Sequence, residues 1–366
     1  MRVRGALLRE IGGPLEIVDA ELDPPGDGEL LVRVGAAGLC HSDLSVIDGS
    51  RPRVMPTMLG HEAAGEVVST GPGVDAFSAG DHVVLCFVPA CGTCAPCSID
   101  RPALCEPGAA ANTAGTLLGG SRRWRLDGEP VVHHHLGVSA FADHVVVSEA
   151  SAVRVDPSLP SEIAALFGCA VLTGVGAVLN SACVVAGESV AVFGLGGVGL
   201  AAVLGARVAG AETIVAVDVV PEKLELALEL GATHAIAGGE GAVEAVRSLT
   251  LGGAAKVIET AGSAAVLEQA YQATRRGGTT VSVGLPHPAQ LLSIPAVSLV
   301  TEERTLKGSY LGSSVPRRDI PRYIELYREG RLPVDRLLTH TLALDEINEG
   351  FERLARGEGV RQAVLF

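Results

Sequence analysis

Residues 189–218 read SVAVFGLGGVGLAAVLGARVAGAETIVAVD and contain a glycine-rich turn between apolar runs. Residues 189–194 are typical of a buried strand, residues 197–209 of a small-residue helix, and residues 213–218 of a second strand. The turn has the spacing G-x-G-x-x-G, and Asp218 follows its last glycine by 19 positions. This order predicts a βαβ unit in which the pyrophosphate of a dinucleotide approaches the N-terminus of the helix, where its charge is stabilised.

Asp218 also predicts which dinucleotide binds. A carboxylate at the end of the second strand can accept hydrogen bonds from both hydroxyls of the adenosine ribose. The 2′-phosphate of NADP would meet this charge, and residues 219–221 contain no arginine to offset it. We therefore expect NAD. Lys223 either contacts the adenosine ribose of this cofactor or is a solvent-exposed residue of the following helix. The residues expected around the pyrophosphate are Gly194, Gly196, Gly197, Val198 and Gly199.

The chain on either side of this unit indicates two kinds of domain. After the unit, helices are predicted over residues 221–230 and 264–275, and strands over 256–260 and 279–283. Repeated βαβ units imply a parallel sheet covered by helices on both faces. Before it, short strands are predicted at 30–34, 64–69, 82–87 and 144–147, between clusters of Gly, Pro and Asp. The sequence thus predicts an α/β protein with a parallel-sheet cofactor domain and a mostly β domain.

Composition excludes several classes of partner. The 366 residues suffice for two domains, and the formal net charge of −14 argues against nucleic acid or an anionic membrane as the main partner. Residues 1–10 carry three arginines and no long apolar run, so no secretory signal is predicted and a cytoplasmic location is expected. Residues 163–187 carry no charge over 25 positions, yet they contain Gly168, Gly174, Gly176 and Asn180 and lead into the cofactor-binding strand. They predict a buried helix between the domains rather than a membrane span.

The eight cysteines are unevenly distributed, and four of them lie within fifteen positions of a Gly- and Pro-rich loop: Cys91, Cys94, Cys97 and Cys105. In a chain without an export signal, such crowding indicates metal ligands rather than disulfides. Four thiolates at this spacing can surround zinc, and because protein fills every position the ion would be structural. An iron–sulfur cluster is the alternative, although the wide last interval and the cofactor domain favour zinc.

A second candidate metal set is dispersed along the chain. Cys40 begins the sequence Cys-His-Ser-Asp, His61 lies in Gly-His-Glu, and Cys169 follows Gly168. Two cysteines and one histidine make a three-ligand zinc site with an open fourth position, as a catalytic zinc requires. Only the fold can bring Cys169 to the other two.

Together these motifs resemble the medium-chain zinc-dependent alcohol dehydrogenase family, in particular its long-loop, class III-like branch. The resemblance runs nearly end to end and is carried by Gly60-His61-Glu62 with Gly65, the four-cysteine loop, Gly168-Cys169, residues 194–199 with Asp218, and Arg361 followed by Phe366. It implies a mostly β, GroES-like catalytic domain over residues 1–170 with a structural zinc lobe at 86–110. A Rossmann domain would follow over 171–314, and residues 315–366 would return to the catalytic domain.

The resemblance also implies roles for individual residues. Cys40, His61 and Cys169 would hold the catalytic zinc, with Glu62 behind it as an alternative ligand and Asp43 orienting the imidazole of His61. A thiolate as the third ligand resembles the alcohol dehydrogenases, since the related polyol dehydrogenases tend to use a carboxylate.

The implied reaction is hydride transfer from an alcohol to NAD. Zinc promotes loss of the alcohol proton, and Ser42 would pass that proton to the nicotinamide ribose. The alternative is that the hydroxyl of Ser42 only forms hydrogen bonds within a turn. Several family members end this relay in a histidine three positions later. That position is Ser45 here, so water or a ribose hydroxyl would have to complete the relay.

Further contacts are implied by the resemblance alone. His41, Thr173 and Arg361 would contact the cofactor, and binding through His41 would be looser and more pH-sensitive than binding through the arginine of some relatives. The implied lining of the substrate pocket consists of Phe87, His135, Leu136 and, near the nicotinamide, Leu285. Residues 133–135 are three histidines, which favour a loop or pocket wall over a third metal site. The segment 110–135 resembles the long loop of dimeric members, so a homodimer is expected, with a tetramer as the alternative.

Several activities share these motifs. The expected one is oxidation of primary alcohols, with medium-chain, allylic or aromatic ones fitting an apolar pocket best. A formaldehyde dehydrogenase acting on a thiol adduct is the nearest alternative. A zinc-stabilised nucleotide-binding protein without turnover would not need Cys40, His61 and Cys169, and a zinc-free quinone reductase relative would lack both ligand sets.

Overall fold

The computed structural model describes residues 1–128 and 131–366, which form two compact units. The first unit comprises Met1–Cys169, Val315–Arg322 and Leu338–Phe366, and the second comprises Ala170–Ser314 and Tyr323–Leu337.

The N-terminal part of the first unit consists mainly of strands. They are β1 (Arg2–Leu8), β2 (Leu15–Leu22), β3 (Glu29–Leu39), β4 (Thr57–Met58), β5 (Ala63–Thr70), β6 (His82–Leu85), β7 (Trp124–Arg125), β8 (His133–His134), β9 (His144–Ser148) and β10 (Ala152–Val155). The helices between them are α1 (His41–Ile47), α2 (Ala95–Ser98), α3 (Glu106–Ala114) and α4 (Ser161–Leu166). This part of the chain therefore has the short-strand character that its Gly, Pro and Asp clusters predict.

The second unit alternates strands and helices. Its elements are α5 (Ala170–Gly176), β11 (Ser189–Phe193), α6 (Gly197–Val208), β12 (Thr213–Asp218), α7 (Pro221–Leu230), β13 (His234–Ala237), α8 (Ala242–Leu249), β14 (Ala254–Glu259), α9 (Ala264–Ala273), β15 (Thr274–Ser282), α10 (Ala296–Thr301) and β16 (Thr305–Gly308). Its six strands form a wholly parallel sheet in the order β13-β12-β11-β14-β15-β16. Strands β12 and β13 lie on one side of β11, and β14, β15 and β16 lie on the other, so the strand order reverses at β11. Ligands of such folds bind at the carboxyl edge of the sheet, at the point where the order reverses.

The C-terminal region adds α11 (Pro316–Arg328), β17 (Leu338–Ala343), α12 (Ile347–Ala355) and β18 (Arg361–Leu365). Strand β18 pairs antiparallel with β3 and parallel with β17, so it joins the sheet of order β10-β6-β5-β3-β18-β17, in which β9 also pairs with β3. The other sheet of this unit has the order β7-β2-β1-β4-β8. In the register of β3 and β18, Gln362 lies opposite Leu39, which brings the start of β18 close to Cys40.

Two predictions about the organisation of the chain need correction. Residues 315–366 do not all return to the first unit, because Tyr323–Leu337 clusters with the second, where Leu332, Val334 and Leu337 are fully buried. Residues 163–187 do not form one helix either. Helix α4 ends at Leu166, α5 begins at Ala170, and a π-helical turn follows over Ala177–Ala182.

The predicted fold class, an α/β protein with a parallel-sheet domain and a mostly β domain, is confirmed. The core of the parallel sheet is apolar on both faces, as expected for a sheet covered by helices. Phe193, Val217 and Val257 are buried on one face, and Val192, Ala216 and Ile258 are buried on the other. Among the residues that the structure describes, no helix is both long and apolar enough to cross a membrane.

Candidate active site

Two of the dispersed metal-ligand candidates follow strands of the first unit. Strand β3 ends at Leu39, and Cys40 stands immediately before α1. His61 lies between β4 and β5 and follows Gly60, whose φ is +93°. A Cβ on Gly60 would lie 2.6 Å from the backbone nitrogen of Phe141, so only glycine fits before this histidine.

The third candidate, Cys169, lies between α4 and α5 and meets the other two. The sulfur atoms of Cys40 and Cys169 and a ring nitrogen of His61 all lie within 4.8 Å of one another. The three side chains are buried, with exposed fractions of 8%, 6% and 1%. Two sulfurs and one nitrogen at this spacing suit zinc and leave one position of a tetrahedron to a non-protein ligand.

Asp43 fixes the orientation of His61. Its Oδ1 lies 3.0 Å from Nδ1 of His61 and also accepts a hydrogen bond from the backbone nitrogen of Gly60 at 3.3 Å. Because Nδ1 is engaged by the carboxylate, Nε2 is the nitrogen that remains for a metal. Burial alone would lower the pKa of His61, but the nearby Asp43 and Cys40 outweigh it and raise that pKa well above its usual value.

The two thiols of the set are electrostatically unequal. A hydrogen bond from the Cys169 thiol, assisted by His61, holds the pKa of Cys40 well below its usual range. The same hydrogen bond and burial raise the pKa of Cys169 well above its usual range. The pair therefore has the character of one thiolate and one thiol, which a bound cation would convert into two thiolates.

Glu62 and Arg361 form a buried ion pair beside this set. The guanidinium of Arg361, at the start of β18, donates to Oε1 of Glu62, and the two side chains are at most 4% exposed. Burial raises the pKa of Glu62, although Arg361 opposes that shift. The expected roles of Glu62 as an alternative ligand and of Arg361 as a phosphate contact stay predictions, since the structure shows these groups paired with each other.

Two of the expected pocket residues pack against His61. The ring of Phe87 lies perpendicular to that of His61, with centroids 5.3 Å apart, and the ring of His135 lies at 5.8 Å. Leu136 is buried next to His135 in the first unit, whereas Leu285 belongs to the second unit and is 47% exposed. The first unit thus places two aromatic rings, those of Phe87 and His135, against His61.

The consecutive histidines do not converge on one point. Nδ1 of His133 lies 3.3 Å from Nε of Arg122, and Nε2 of His134 accepts a hydrogen bond from the backbone nitrogen of Arg123 at 3.1 Å. His135 instead lies beside Asp43, 3.2 Å from its Oδ1. The long-loop prediction for residues 110–135 includes residues 129 and 130, which lie outside the described residues.

The four-cysteine loop forms a second cluster. The sulfur atoms of Cys91, Cys94, Cys97 and Cys105 lie within 4.8 Å of one another. Backbone N–H groups donate to two of these sulfurs, from Cys94 to Cys91 at 3.3 Å and from Cys91 to Cys105 at 3.2 Å. Hydrogen bonds from the backbone of Thr93 and Cys94 lower the pKa of Cys91 to about 6, which favours the thiolate that binds metal. In the part of the chain that the structure describes, no cysteine forms a disulfide.

The glycine-rich turn of the second unit leaves room for a phosphate. Gly196 caps the N-terminus of α6, and no atom lies within 4 Å of the position that its Cβ would occupy. Gly194 has a φ of +89°, and its Cβ would lie 2.7 Å from the backbone nitrogen of Ala261. A Cβ on Gly199 would collide with the carbonyl oxygen of Gly194. Each glycine thus meets a different steric requirement at the N-terminus of the helix.

Asp218 lies at the carboxyl end of β12 and is tied to the glycine turn. Its Oδ2 accepts a hydrogen bond from the backbone nitrogen of Leu195 at 2.5 Å, and its Oδ1 accepts one from that of Val220 at 2.9 Å. Each oxygen keeps a lone pair for a further donor such as a ribose hydroxyl. Lys223 is half-buried in the first turn of α7.

The remaining expected site residues divide between the units. His41 is exposed and Ser42 is half-buried in the first turn of α1, and Ser45 is half-buried further along that helix. Thr173 is buried in α5 of the second unit, with 9% of its surface exposed.

Sequence reasoning missed Glu259, a buried carboxylate at the end of β14. The signal available in the sequence was a charged residue at the end of an apolar strand.

Comparison with known proteins identifies relatives along the whole chain. Residues 26–157 match the family model described as "Alcohol dehydrogenase GroES-like domain", and residues 197–329 match the one described as "Zinc-binding dehydrogenase". The chain is 40% identical to the NDMA-dependent alcohol dehydrogenase of Amycolatopsis methanolica, over 100% of this chain and 99% of the relative. It is 37% identical to the S-(hydroxymethyl)glutathione dehydrogenase of Paracoccus denitrificans, over 100% of both. Among solved structures, the benzyl alcohol dehydrogenase of Acinetobacter calcoaceticus superposes with a TM-score of 0.94 at 33% identity, over 100% of this chain and 99% of that one.

Proposed function

This chain belongs to the medium-chain, zinc-dependent alcohol dehydrogenase family, and we propose that it oxidises primary alcohols to aldehydes with NAD. The observation that carries the proposal is the buried meeting of Cys40, His61 and Cys169 within 4.8 Å. A three-ligand set with one open position is what a catalytic zinc needs and what a structural zinc lacks.

The side chains around this set define what the protein contributes to the reaction. A zinc ion bound there would lower the pKa of an alcohol hydroxyl and so promote its oxidation. Asp43 keeps the proton of His61 on Nδ1, and the Oγ of Ser42, in the adjacent helix, would accept the proton of the alcohol. Phe87 exposes only 8% of its surface beside His61, which favours apolar and aromatic alcohols.

A zinc ion and a nucleotide cofactor follow from the family, and we propose in addition two zinc ions per chain and NAD as the nucleotide. The four sulfurs of the Cys91–Cys105 loop support a second, structural zinc, because they offer a complete tetrahedral ligand set. The carboxylate of Asp218 beside the glycine turn supports NAD, because it would repel a 2′-phosphate.

The first test is a panel of substrates and cofactors. Benzyl, cinnamyl and 1-octyl alcohol, with 2-propanol as the secondary-alcohol control, are assayed with NAD and with NADP. We expect kcat/KM to favour primary alcohols and NAD, the latter by about 100-fold or more, since like-charge contacts cost several kcal/mol. One arm contains added NDMA, because a 40% identical relative is named for its dependence on it. Absence of turnover in every arm, in protein shown to contain zinc, would contradict the proposal.

A second candidate activity is oxidation of a thiol adduct of formaldehyde. It is favoured by one observation, the 37% identity over the full length to an S-(hydroxymethyl)glutathione dehydrogenase. Formaldehyde is therefore assayed with NAD in the presence and absence of glutathione. Turnover only with the thiol, at a kcat/KM above that for benzyl alcohol, would replace the first activity by this one.

The proposal also covers the number of chains in the assembled protein and its location in the cell. We propose a homodimer, with a tetramer as the alternative, and a cytoplasmic location, on the sequence arguments given above. Light scattering of the purified protein distinguishes one, two and four chains of 37.4 kDa.

A further inference from the structure

Glu29, at the start of β3, is a buried carboxylate that anchors a segment far away in the sequence. Only 5% of its surface is exposed, and both of its oxygens accept hydrogen bonds. Oε1 accepts from the hydroxyl of Ser121, and Oε2 accepts from Nε of Arg123 at 2.7 Å and from the backbone nitrogen of Gly26 at 2.8 Å. A buried carboxylate is stable only where its charge is paired and its oxygens are satisfied, as they are here. Glu29 therefore fixes Ser121 and Arg123, which lie 92 and 94 positions further along the chain.

Arg123 connects this anchor to β8. While its guanidinium binds Glu29, its backbone nitrogen donates to Nε2 of His134 at 3.1 Å. Nδ1 of His134 has no hydrogen-bond partner among the described residues, so the bond from Arg123 orients the ring. The ring also lies 6.4 Å from that of Trp124, which is 3% exposed. A single residue thus links the buried carboxylate to His134.

These contacts join the two edges of one sheet. In the order β7-β2-β1-β4-β8, the edge strands are β7, which contains Trp124, and β8, which contains His134. Strand β8 pairs with β4 through only two residues, so main-chain pairing alone fixes it weakly. The contacts of Arg123 and Trp124 with His134 supply a second attachment for β8.

Strand β8 leads directly into the expected wall of the substrate pocket. His134 is followed by His135, whose ring centroid lies 5.8 Å from that of His61, and by the buried Leu136. A shift of β8 would therefore move both of these side chains relative to His61. The three proposed zinc ligands lie on other segments, so such a shift would change the pocket wall more than the metal set.

We propose that Glu29 is a positioning residue for the substrate pocket. Acting through Arg123, it holds β8 in the place that puts the expected pocket wall, His135 and Leu136, beside the zinc ligands. The inference rests on the proposed function, because it assumes that the alcohol binds against this wall. The alternative is that the buried ion pair only stabilises the fold. A positioning role predicts an effect that depends on the size of the alcohol, whereas a loss of stability lowers the active fraction for every substrate alike.

The test compares a large and a small alcohol in Glu29→Gln, which keeps the size of the side chain but removes the charge that holds Arg123. We expect kcat/KM for benzyl alcohol to fall about tenfold relative to that for ethanol, because the larger substrate depends more on contacts with the pocket wall. KM for NAD should not change, since the glycine turn and Asp218 belong to the second unit.

Trp124 gives a second readout that does not need turnover. It is the single tryptophan of the chain and is buried beside His134, so its fluorescence reports on the contact between the two edge strands. In Glu29→Gln we expect its emission to shift to longer wavelength and its quenching by acrylamide to increase, because water would reach the indole.

Three further variants separate this role from general stability. Glu66→Gln removes another ion pair of β3, the one with Arg33, which involves no residue of 121–125, and should leave both readouts unchanged. Ser121→Ala removes one hydrogen bond from Glu29 but keeps the ion pair, so it should shift both readouts in the same direction by a smaller amount. Glu29→Gln combined with Arg123→Gln should give the same substrate ratio as Arg123→Gln alone, because the two side chains act as a unit.

The outcomes distinguish the inference from the proposed function. An unchanged ratio of kcat/KM for the two alcohols in folded Glu29→Gln would overturn the positioning role, as would an unchanged Trp124 emission. If that variant does not fold, the same results in Ser121→Ala would overturn it. Absence of alcohol turnover in unsubstituted protein that contains zinc would instead overturn the proposed function, while the response of Trp124 would still show whether Glu29 holds β8.

Discussion

Three consecutive histidines, residues 133–135, lie in three chemically different environments. His133 contacts the guanidinium of Arg122, His134 accepts a hydrogen bond from a backbone amide, and His135 faces a carboxylate. Burial, with the two arginines as lesser causes, lowers the pKa of His134 to about 3. The pKa of His135 is also lowered by burial, although Asp43 opposes the shift. The role of each histidine therefore depends on its neighbours rather than on the residue type.

The low pKa of His134 predicts a specific sensitivity to acid. An unfolded histidine has a pKa of about 6.5, so between that pH and about 3 the unfolded chain binds a proton that the folded chain does not. His134 thus lowers the free energy of unfolding as the pH falls through this window, by up to about 1.4 kcal/mol per pH unit. In His134→Gln, whose carbonyl can still accept from the amide of Arg123, this contribution is absent.

The measurement is urea denaturation of both proteins between pH 4.5 and 7.5. We expect the free energy of unfolding of His134→Gln to fall less steeply with acidification than that of the unsubstituted protein. Parallel curves over this range would show that His134 is not buried in its neutral form. Other acid-sensitive groups, including Asp43, are common to both proteins and cancel in the difference.

At the scale of elements, the turn after β14 supports the glycine turn after β11. Glu259 ends β14 opposite Phe193, and its Oε1 accepts a hydrogen bond from the backbone nitrogen of Gly262 at 2.7 Å. The Oγ1 of Thr260 donates to the carbonyl oxygen of Gly194 at 2.7 Å. The buried carboxylate thus shapes one turn, and that turn packs against the other. A position that sequence reasoning missed therefore supports the proposed cofactor site indirectly.

Glu259 predicts opposite effects for two substitutions. Burial raises the pKa of Glu259 above its unfolded value of about 4.3, so its contribution to stability is full below that pH and is lost as the pH rises through the folded pKa. Glu259→Gln cannot ionise but retains an acceptor for Gly262, so it should unfold at a higher temperature than the unsubstituted protein at pH 8 and bind NADH equally well. Glu259→Ala loses the acceptor and should bind NADH several-fold more weakly.

Thermal unfolding at pH 5 and pH 8, together with NADH fluorescence titration, checks both expectations. The gain of Glu259→Gln should be larger at pH 8 than at pH 5. Equal NADH affinities of the Gln and Ala variants would show that the hydrogen bond to Gly262 does not shape the cofactor site.

The sequence predicted elements best where local chemistry decides their ends. Strand β12 and helix α7 have the predicted bounds, because Pro221 starts the helix and Gly231, with a φ of +117°, ends it. The apolar stretch 163–187 was wrongly predicted as one helix, because its break is a tertiary effect. A Cβ on Gly168 would collide with the carbonyl oxygen of Leu85, a residue far away in the sequence.

The residues of the candidate site also differ in how far the sequence alone could predict their contacts. Residue types and spacing are enough to group the four cysteines of one loop. Cys40, His61 and Cys169 are dispersed along the chain, so only their residue types, which suit a three-ligand zinc site, indicated that they belong together. The pairing of Glu62 with Arg361 was not predicted, because the two residues are 299 positions apart and meet only through the register of β18 with β3. The contact of Asp43 with His135 likewise joins residues that are far apart in the sequence, so no local motif predicts it.

At the scale of the whole molecule, the two candidate metal sets differ in how they depend on the fold. The four cysteines of the loop are close in sequence, three of them are half-buried, and α2, which contains Cys97, has no buried residue. Cys40, His61 and Cys169 come from three separated segments whose positions are fixed by sheets and helices. A metal in the loop would therefore stabilise its own lobe, whereas a metal in the dispersed set would occupy a site that the fold has already built.

This difference predicts two contrasting variants. Cys169→Ser should abolish turnover and release about one zinc ion per chain while leaving the free energy of unfolding nearly unchanged. Cys97→Ser should also release about one zinc ion, but it should lower the free energy of unfolding by roughly 3 kcal/mol or more and leave residual turnover in the folded fraction, because loss of a structural metal is among the most destabilising single changes. Metal content, alcohol turnover and urea denaturation of the same preparations measure all three quantities. If both variants lost stability to the same extent, the division into a catalytic and a structural ion would be wrong, because both sets would then be needed to form the fold.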